Sequence, residues 1–144
     1  MNGKIRIFTD KSHYKKEYRR ELADILRPFI KDTILESSDL RIIYGGLIDK
    51  YEIVDSVAAS DFCVLPMSWN YYLEQKEVGK AVNFIKTARK YGKKVASWIT
   101  GDYGVRVPVS FDNLIFFGRS WSRPLESKRQ YALPVFIRDP LGLL

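Results

Sequence analysis

Four polar stretches carry the side chains best suited to chemistry, and each follows an apolar run. They read Thr9-Asp10-Lys11-Ser12-His13-Tyr14, Met67-Ser68-Trp69-Asn70-Tyr71-Tyr72, Thr100-Gly101-Asp102-Tyr103-Gly104 and Gly118-Arg119-Ser120-Trp121-Ser122-Arg123. Trp and Tyr offer flat apolar faces with a polar edge. Asn and Asp exchange hydrogen bonds with hydroxyls in fixed geometry, and Arg grips a phosphate or carboxylate through two parallel bonds. That mixture suits a sugar or another polyhydroxylated ligand. The other reading of Trp69, Tyr71 and Tyr72 is plain packing over a sheet edge.

Asp102, between Gly101 and Gly104, is the acid best placed to take a proton from an attacking hydroxyl. An Asx turn bonding its own backbone is the alternative there. His13 is the sole histidine. It reads as a general base or, more blandly, as a solvated residue at a helix start. Lys15, Lys16, Arg19 and Arg20 form a basic cluster, interleaved by Glu17, Glu21 and Asp24 as on a solvated face. Cys63 lies in the run Phe62-Cys63-Val64-Leu65 and reads as a buried, inert thiol.

Several fingerprints are missing from the sequence. It holds no G-x-G-x-x-G, no phosphate-binding loop, no C-x-x-C, no histidine pair at ligand spacing and no G-x-S-x-G elbow. No metal is therefore expected. The aromatics lack the pattern of an RNA-binding sheet, so nucleic acid is not an expected partner.

The elements that must position these groups alternate between strand and helix. Lys4–Phe8, Leu40–Tyr44, Asp61–Pro66, Lys94–Ile99, Asn113–Phe117 and Leu133–Ile137 read as strands. Lys15–Lys31, with Tyr18, Leu22, Ile25, Leu26, Phe29 and Ile30 on one stripe, reads as a helix that Pro28 kinks or breaks. Tyr51–Ala59 reads as a short helix and Gln75–Tyr91 as a long one capped by Gly92. This alternation predicts an α/β fold: a Rossmann-like, open, mostly parallel sheet with helices on both faces, in a single domain spanning 1–144. The polar stretches then share the carboxyl border of the sheet, where such folds bind ligands.

Composition agrees. Across 144 residues, 46% are apolar and 28% charged, which suits a globular chain and excludes disorder. One cysteine permits no internal disulfide and points to a cytoplasmic setting, with the inner-membrane surface as a peripheral location. The net charge of +7 serves solubility or an anionic partner such as a membrane surface. The apolar end Leu141-Gly142-Leu143-Leu144 reads as leading into a further unit or as tucking onto the core.

Three segments resemble exostosin-like bacterial glycosyltransferases: Asp61 to Tyr72, Lys94 to Val105 and Leu133 to Leu141. The resemblance covers residues 50 to 141 in order. It implies a two-lobed enzyme of the GT-B type, of which this chain matches the amino-terminal, acceptor-side lobe. The second lobe has no counterpart in these residues; a further lobe or a partner chain would supply it and hold most of the nucleotide-sugar donor. No cofactor is implied. On this basis Asp102 is the expected catalytic base, and Trp69, Asn70, Tyr71, Tyr72, Tyr103, Arg119, Ser120 and Arg123 the expected substrate contacts. Arg119 and Arg123 would steady charge on the departing diphosphate. Two other readings stand beside it. One is a nucleotide- or nucleoside-processing domain, deoxyribosyltransferase-like or TIR-like, with Glu74 or Glu77 as its carboxylate. The other is a non-catalytic module that uses its basic stretch on an acidic partner or membrane.

Overall fold

A computed structural model describes residues 3–30, 46–100 and 107–118, together with the backbone of 130–132. Six strands form one sheet: β1 (Ile5–Phe8), β2 (Tyr51–Val54), β3 (Phe62–Val64), β4 (Val95–Ile99), β5 (Leu114–Gly118) and β6 (Gln130–Ala132). Their spatial order is β2-β1-β3-β4-β5-β6, and every pair is parallel. This is the open, doubly wound α/β architecture that the strand–helix alternation predicts.

The parallel sheet is buried on both sides. Phe8 stacks on Phe84 of the Val78–Lys90 helix with ring centroids 5.8 Å apart. Its neighbour Ile7 points to the opposite face and is fully buried, Phe8 itself being partly so. Along β4, Val95, Ala96 and Ser97 are buried in succession, which only a strand covered on both faces allows.

The Val78–Lys90 helix forms where the periodicity places it. Ala81, Phe84, Ile85 and Ala88 fall at helical spacing and are buried. Gly92 ends it with φ +68, the left-handed cap conformation. The amide of Lys93 then returns to the Ala88 carbonyl at 3.0 Å.

Three elements differ from the sequence expectation. Lys15–Lys31 is not a regular helix. It forms two 3-10 segments, Lys16–Glu21 and Asp24–Phe29, with Leu22 bridged antiparallel to Met67 between them. Pro28 cannot donate a helical bond, and the chain finds better partners across the gap. The amide of Ala23 donates to the Pro66 carbonyl, and that of Ser68 to the Glu21 carbonyl, both at 2.8 Å. Buried Arg27 donates to the Arg19, Arg20 and Leu22 carbonyls at 3.0, 3.3 and 3.2 Å. One guanidinium thus serves carbonyls that a continuous helix would have paired with amides.

Tyr51–Ala59 is not a helix either. Its first part is β2, whose β-branched Ile53 and Val54 pair with Ile7 and Phe8; a turn follows. The stretch after β3, expected as a loop through Tyr72, contains a short helix, Trp69–Glu74. Ser68 caps it, its Oγ accepting from the Tyr71 amide at 3.1 Å. The expected strands Leu40–Tyr44 and Leu133–Ile137 lie outside the described residues.

Candidate functional site

In the observed order, the chain leaving β1 runs to one side of the sheet and the chain leaving β3 to the other. Such a switch point opens a crevice at the carboxyl ends of the two strands. Thr9 closes its floor by donating its hydroxyl to the Val64 carbonyl at 2.8 Å.

Beyond β1, Asp10 caps a 3-10 turn, Lys11–His13, accepting from the Ser12 amide at 3.0 Å and the Ser12 hydroxyl at 2.5 Å. Burial alone would raise its carboxyl pKa. The Ser12 bonds, with His13 and Lys80 nearby, outweigh that and hold it below the usual carboxylate value. His13 is buried, contrary to its reading as a solvated residue. Its Nδ1 lies 2.8 Å from the Tyr72 hydroxyl and its Nε2 3.5 Å from Asp10. Burial lowers the imidazole pKa and raises that of the Tyr72 phenol. The phenol keeps its proton, and placing the imidazole proton on Nε2, which faces the Asp10 carboxylate, leaves Nδ1 to accept from that phenol.

Behind this turn, Glu77 gathers Lys15 Nζ at 3.1 Å, Tyr71 Oη at 3.0 Å and Lys80 Nζ at 3.2 Å. The Lys15 bond leads in pulling its pKa down to about 2. A carboxylate so thoroughly paired would have to release three donors before attacking a substrate. The arrangement suits a clamp between the β1 exit and the long helix better than a nucleophile.

At the β3 and β4 exits a second network forms. Asn70 donates to the Thr100 carbonyl at 3.0 Å and accepts from the Thr100 amide at 2.9 Å, joining the two strand ends as a third strand would. Glu21 Oε2 accepts from the hydroxyls of Ser68 and Thr100, the latter at 2.8 Å. Three segments far apart in the chain therefore meet at one carboxylate.

Of the residues expected to contact substrate, Trp69, Tyr71 and Tyr72 belong to the core. All are at most 1% exposed and pack edge-on or tilted against one another, Tyr18 and Phe116. None presents a ring face to solvent, so in this arrangement packing accounts for them. They are turned inward because Ser68 starts a helix there. Asn70 is half-buried, with its amide engaged by Thr100. Asp102, Tyr103, Arg119, Ser120 and Arg123 lie outside the described residues. Among the alternatives, Glu74 is exposed and Glu77 is the clamp just described.

The sequence reading did not single out Glu21. No local signal marks it, because its partners lie 47 and 79 residues away. Trp69 Nε1 is a buried donor without an acceptor among the described residues. Such an atom costs about 1–3 kcal/mol unless a group beyond these residues meets it. No group of three or more His, Cys, Asp or Glu side chains among the described residues is placed to hold a metal ion. No helix among them is long and apolar enough to cross a membrane.

No family model, curated protein or solved structure matches this chain. Fold and border together define its class: an open, doubly wound parallel α/β domain with a polar network at the carboxyl edge of its sheet.

Proposed function

We propose that the chain is the acceptor-side lobe of a sugar transferase, binding a glycan or another hydroxylated acceptor along the carboxyl border of the sheet. The observation that carries this reading is the cross-linked border itself. The exits of β1, β3 and β4 lie side by side, and the last two are joined by the paired bonds of Asn70 and Thr100. Asp10, Ser12 and Glu21 supply carboxylates and a hydroxyl there, the groups that hydroxyl-rich ligands exchange bonds with, and Ser68, Asn70 and Thr100 cross-link the border beneath them. In this reading a nucleotide-sugar is the donor, held mainly by a second lobe or a partner chain, and Asp102 and Arg119 keep the roles of base and diphosphate contact that the resemblance implies. The reading extends the resemblance of residues 50 to 141 to exostosin-like glycosyltransferases. A cytoplasmic setting goes with a nucleotide-sugar substrate.

The nucleoside-processing alternative is weaker because Glu77 is fully engaged by cations and a phenol. The membrane-module alternative loses its continuous amphipathic helix, since Lys15–Lys31 is broken into 3-10 segments.

The test is binding of the 144-residue chain to an array of mono- and oligosaccharides, followed by calorimetric titration of the strongest hits. The reading expects saccharide binding that barely changes between low and moderate salt, with amide shifts concentrated at Asp10, Asn70 and Thr100. Failure to bind any saccharide overturns it. Binding to anionic vesicles that collapses as salt rises would favour the membrane module instead.

A further inference from the structure

One border carboxylate is half committed. Glu21 Oε2 is fixed by the Ser68 and Thr100 hydroxyls, while Oε1 has no hydrogen-bond or ion-pair partner among the described residues. The side chain is partly open to solvent. Its backbone is equally fixed: the Glu21 carbonyl accepts from the Ser68 amide at 2.8 Å, and Leu22 bridges to Met67. A purely structural cross-link would need only the one oxygen that is already used. Among the described residues this border thus leaves one carboxylate oxygen unanswered, and a ligand hydroxyl is a donor that can meet it.

We propose that Glu21 is a ligand-binding carboxylate of this border, with Oε1 accepting a hydrogen bond from a hydroxyl of the bound sugar while Ser68 and Thr100 hold Oε2 in place. The inference rests on the sugar-binding reading above and adds the residue that fixes the acceptor. Preorganisation explains the cost of holding a carboxylate there. Two hydroxyl bonds set its direction before the ligand arrives, so little freedom is lost on binding.

The decisive variant is Glu21→Gln. The amide oxygen of the new side chain can still accept from Ser68 and Thr100, so the cross-link survives, while the free oxygen becomes an NH2 that cannot accept. The probe is the saccharide that binds the wild-type chain most tightly on the array, titrated at a temperature where both forms are folded by circular dichroism. Loss of a charged acceptor predicts binding about ten- to hundred-fold weaker. Thr100→Val, which removes one of the two hydroxyls but keeps the backbone bonds to Asn70, should weaken binding several-fold. Adding it to Glu21→Gln should cost less than its effect alone, because both act through one carboxylate. Equal affinity of wild type and Glu21→Gln overturns the inference and leaves the sugar reading standing. If Glu21→Gln weakens binding but the Thr100→Val effect is fully additive, the positioning half of the proposal is overturned. Absence of saccharide binding by the wild type overturns both readings together.

Discussion

His13 is a neutral imidazole enclosed by a phenol and by ionised groups. Asp10 and Lys80 face it from the β1 turn and the long helix, Glu77 lies beyond, and Tyr72 donates to its Nδ1. Burial leads in lowering its pKa below the ordinary 6.5. In the window just below pH 6.5 the unfolded chain therefore binds more protons than the native one. Stability must rise with pH across that window, so it is complete above 6.5 and declines as the pH falls toward the native value. The urea midpoint should stay level from pH 8 to 7 and fall as the pH drops below 6.5, and His13→Gln should flatten that slope. Glu77 acts lower on the scale. Its pKa of about 2, against 4.5 for an unpaired glutamate, contributes stability above 4.5 that is lost as the pH drops toward 2. The two limbs are separable in one pH series of urea melts, since Glu77→Gln should shrink only the acid one, to which Asp10 and Asp61 also contribute.

At the scale of elements, the broken helix shows what held the sequence reading back. The apolar stripe at Tyr18, Leu22, Ile25, Leu26, Phe29 and Ile30 has helical spacing, and Leu22 and Leu26 are indeed buried. Spacing reports which side of a segment faces the core, but a series of 3-10 turns can present the same side. The decision lay with partners far along the chain, Pro66 and Ser68, for the backbone, and with Arg27 of the segment itself for the carbonyls. Arg27→Met should keep the bulk and lose the donors, leaving the buried Leu22 carbonyl without this partner while the Arg19 carbonyl keeps the Leu22 amide. A cost of about 2–4 kcal/mol in urea unfolding follows. Glu17→Gln, on the exposed side of the same segment, should change stability by less than about 0.5 kcal/mol.

The same distinction explains what else could be read. The strands β1, β3, β4 and β5 were legible because each is a short apolar run bounded by polar or turn residues, and so was the long helix with its Gly92 cap. β2 was not, because Tyr51-Glu52-Ile53-Val54 is too short to separate alternation from a helical turn, and only its pairing with β1 makes it a strand. The short helix after β3 was announced by Ser68 followed by aromatics, a pattern that serves equally for a loop. At the border, polar character was legible from the stretches after each strand. Which carboxylate stands free there was not, because the Glu21 cross-link is built from long-range contacts.

For the whole molecule, the central fact is that β1 is bracketed by β2 and β3, and among the described residues β2 has no neighbour other than β1. Ile7 pairs with Ile53 on one side and Phe62 on the other and is fully buried. Ile7→Ala should therefore cost about 2–5 kcal/mol in urea unfolding, with an unchanged denaturant slope if the sheet still melts as one unit. A reduced slope would mean that β2 detaches separately.

That order also bears on how the protein is made. During synthesis β1 emerges from the ribosome well before residues 51–54 and 62–63 exist to flank it, and at roughly 5–20 residues per second the delay lasts roughly 2–10 seconds. Throughout that interval Ile5, Ile7 and Phe8 form a nascent apolar segment with no strand to pair with. Chaperones that shield such segments, and the translation speed over the following fifty or so codons, then govern how much of the newly made chain reaches its native sheet.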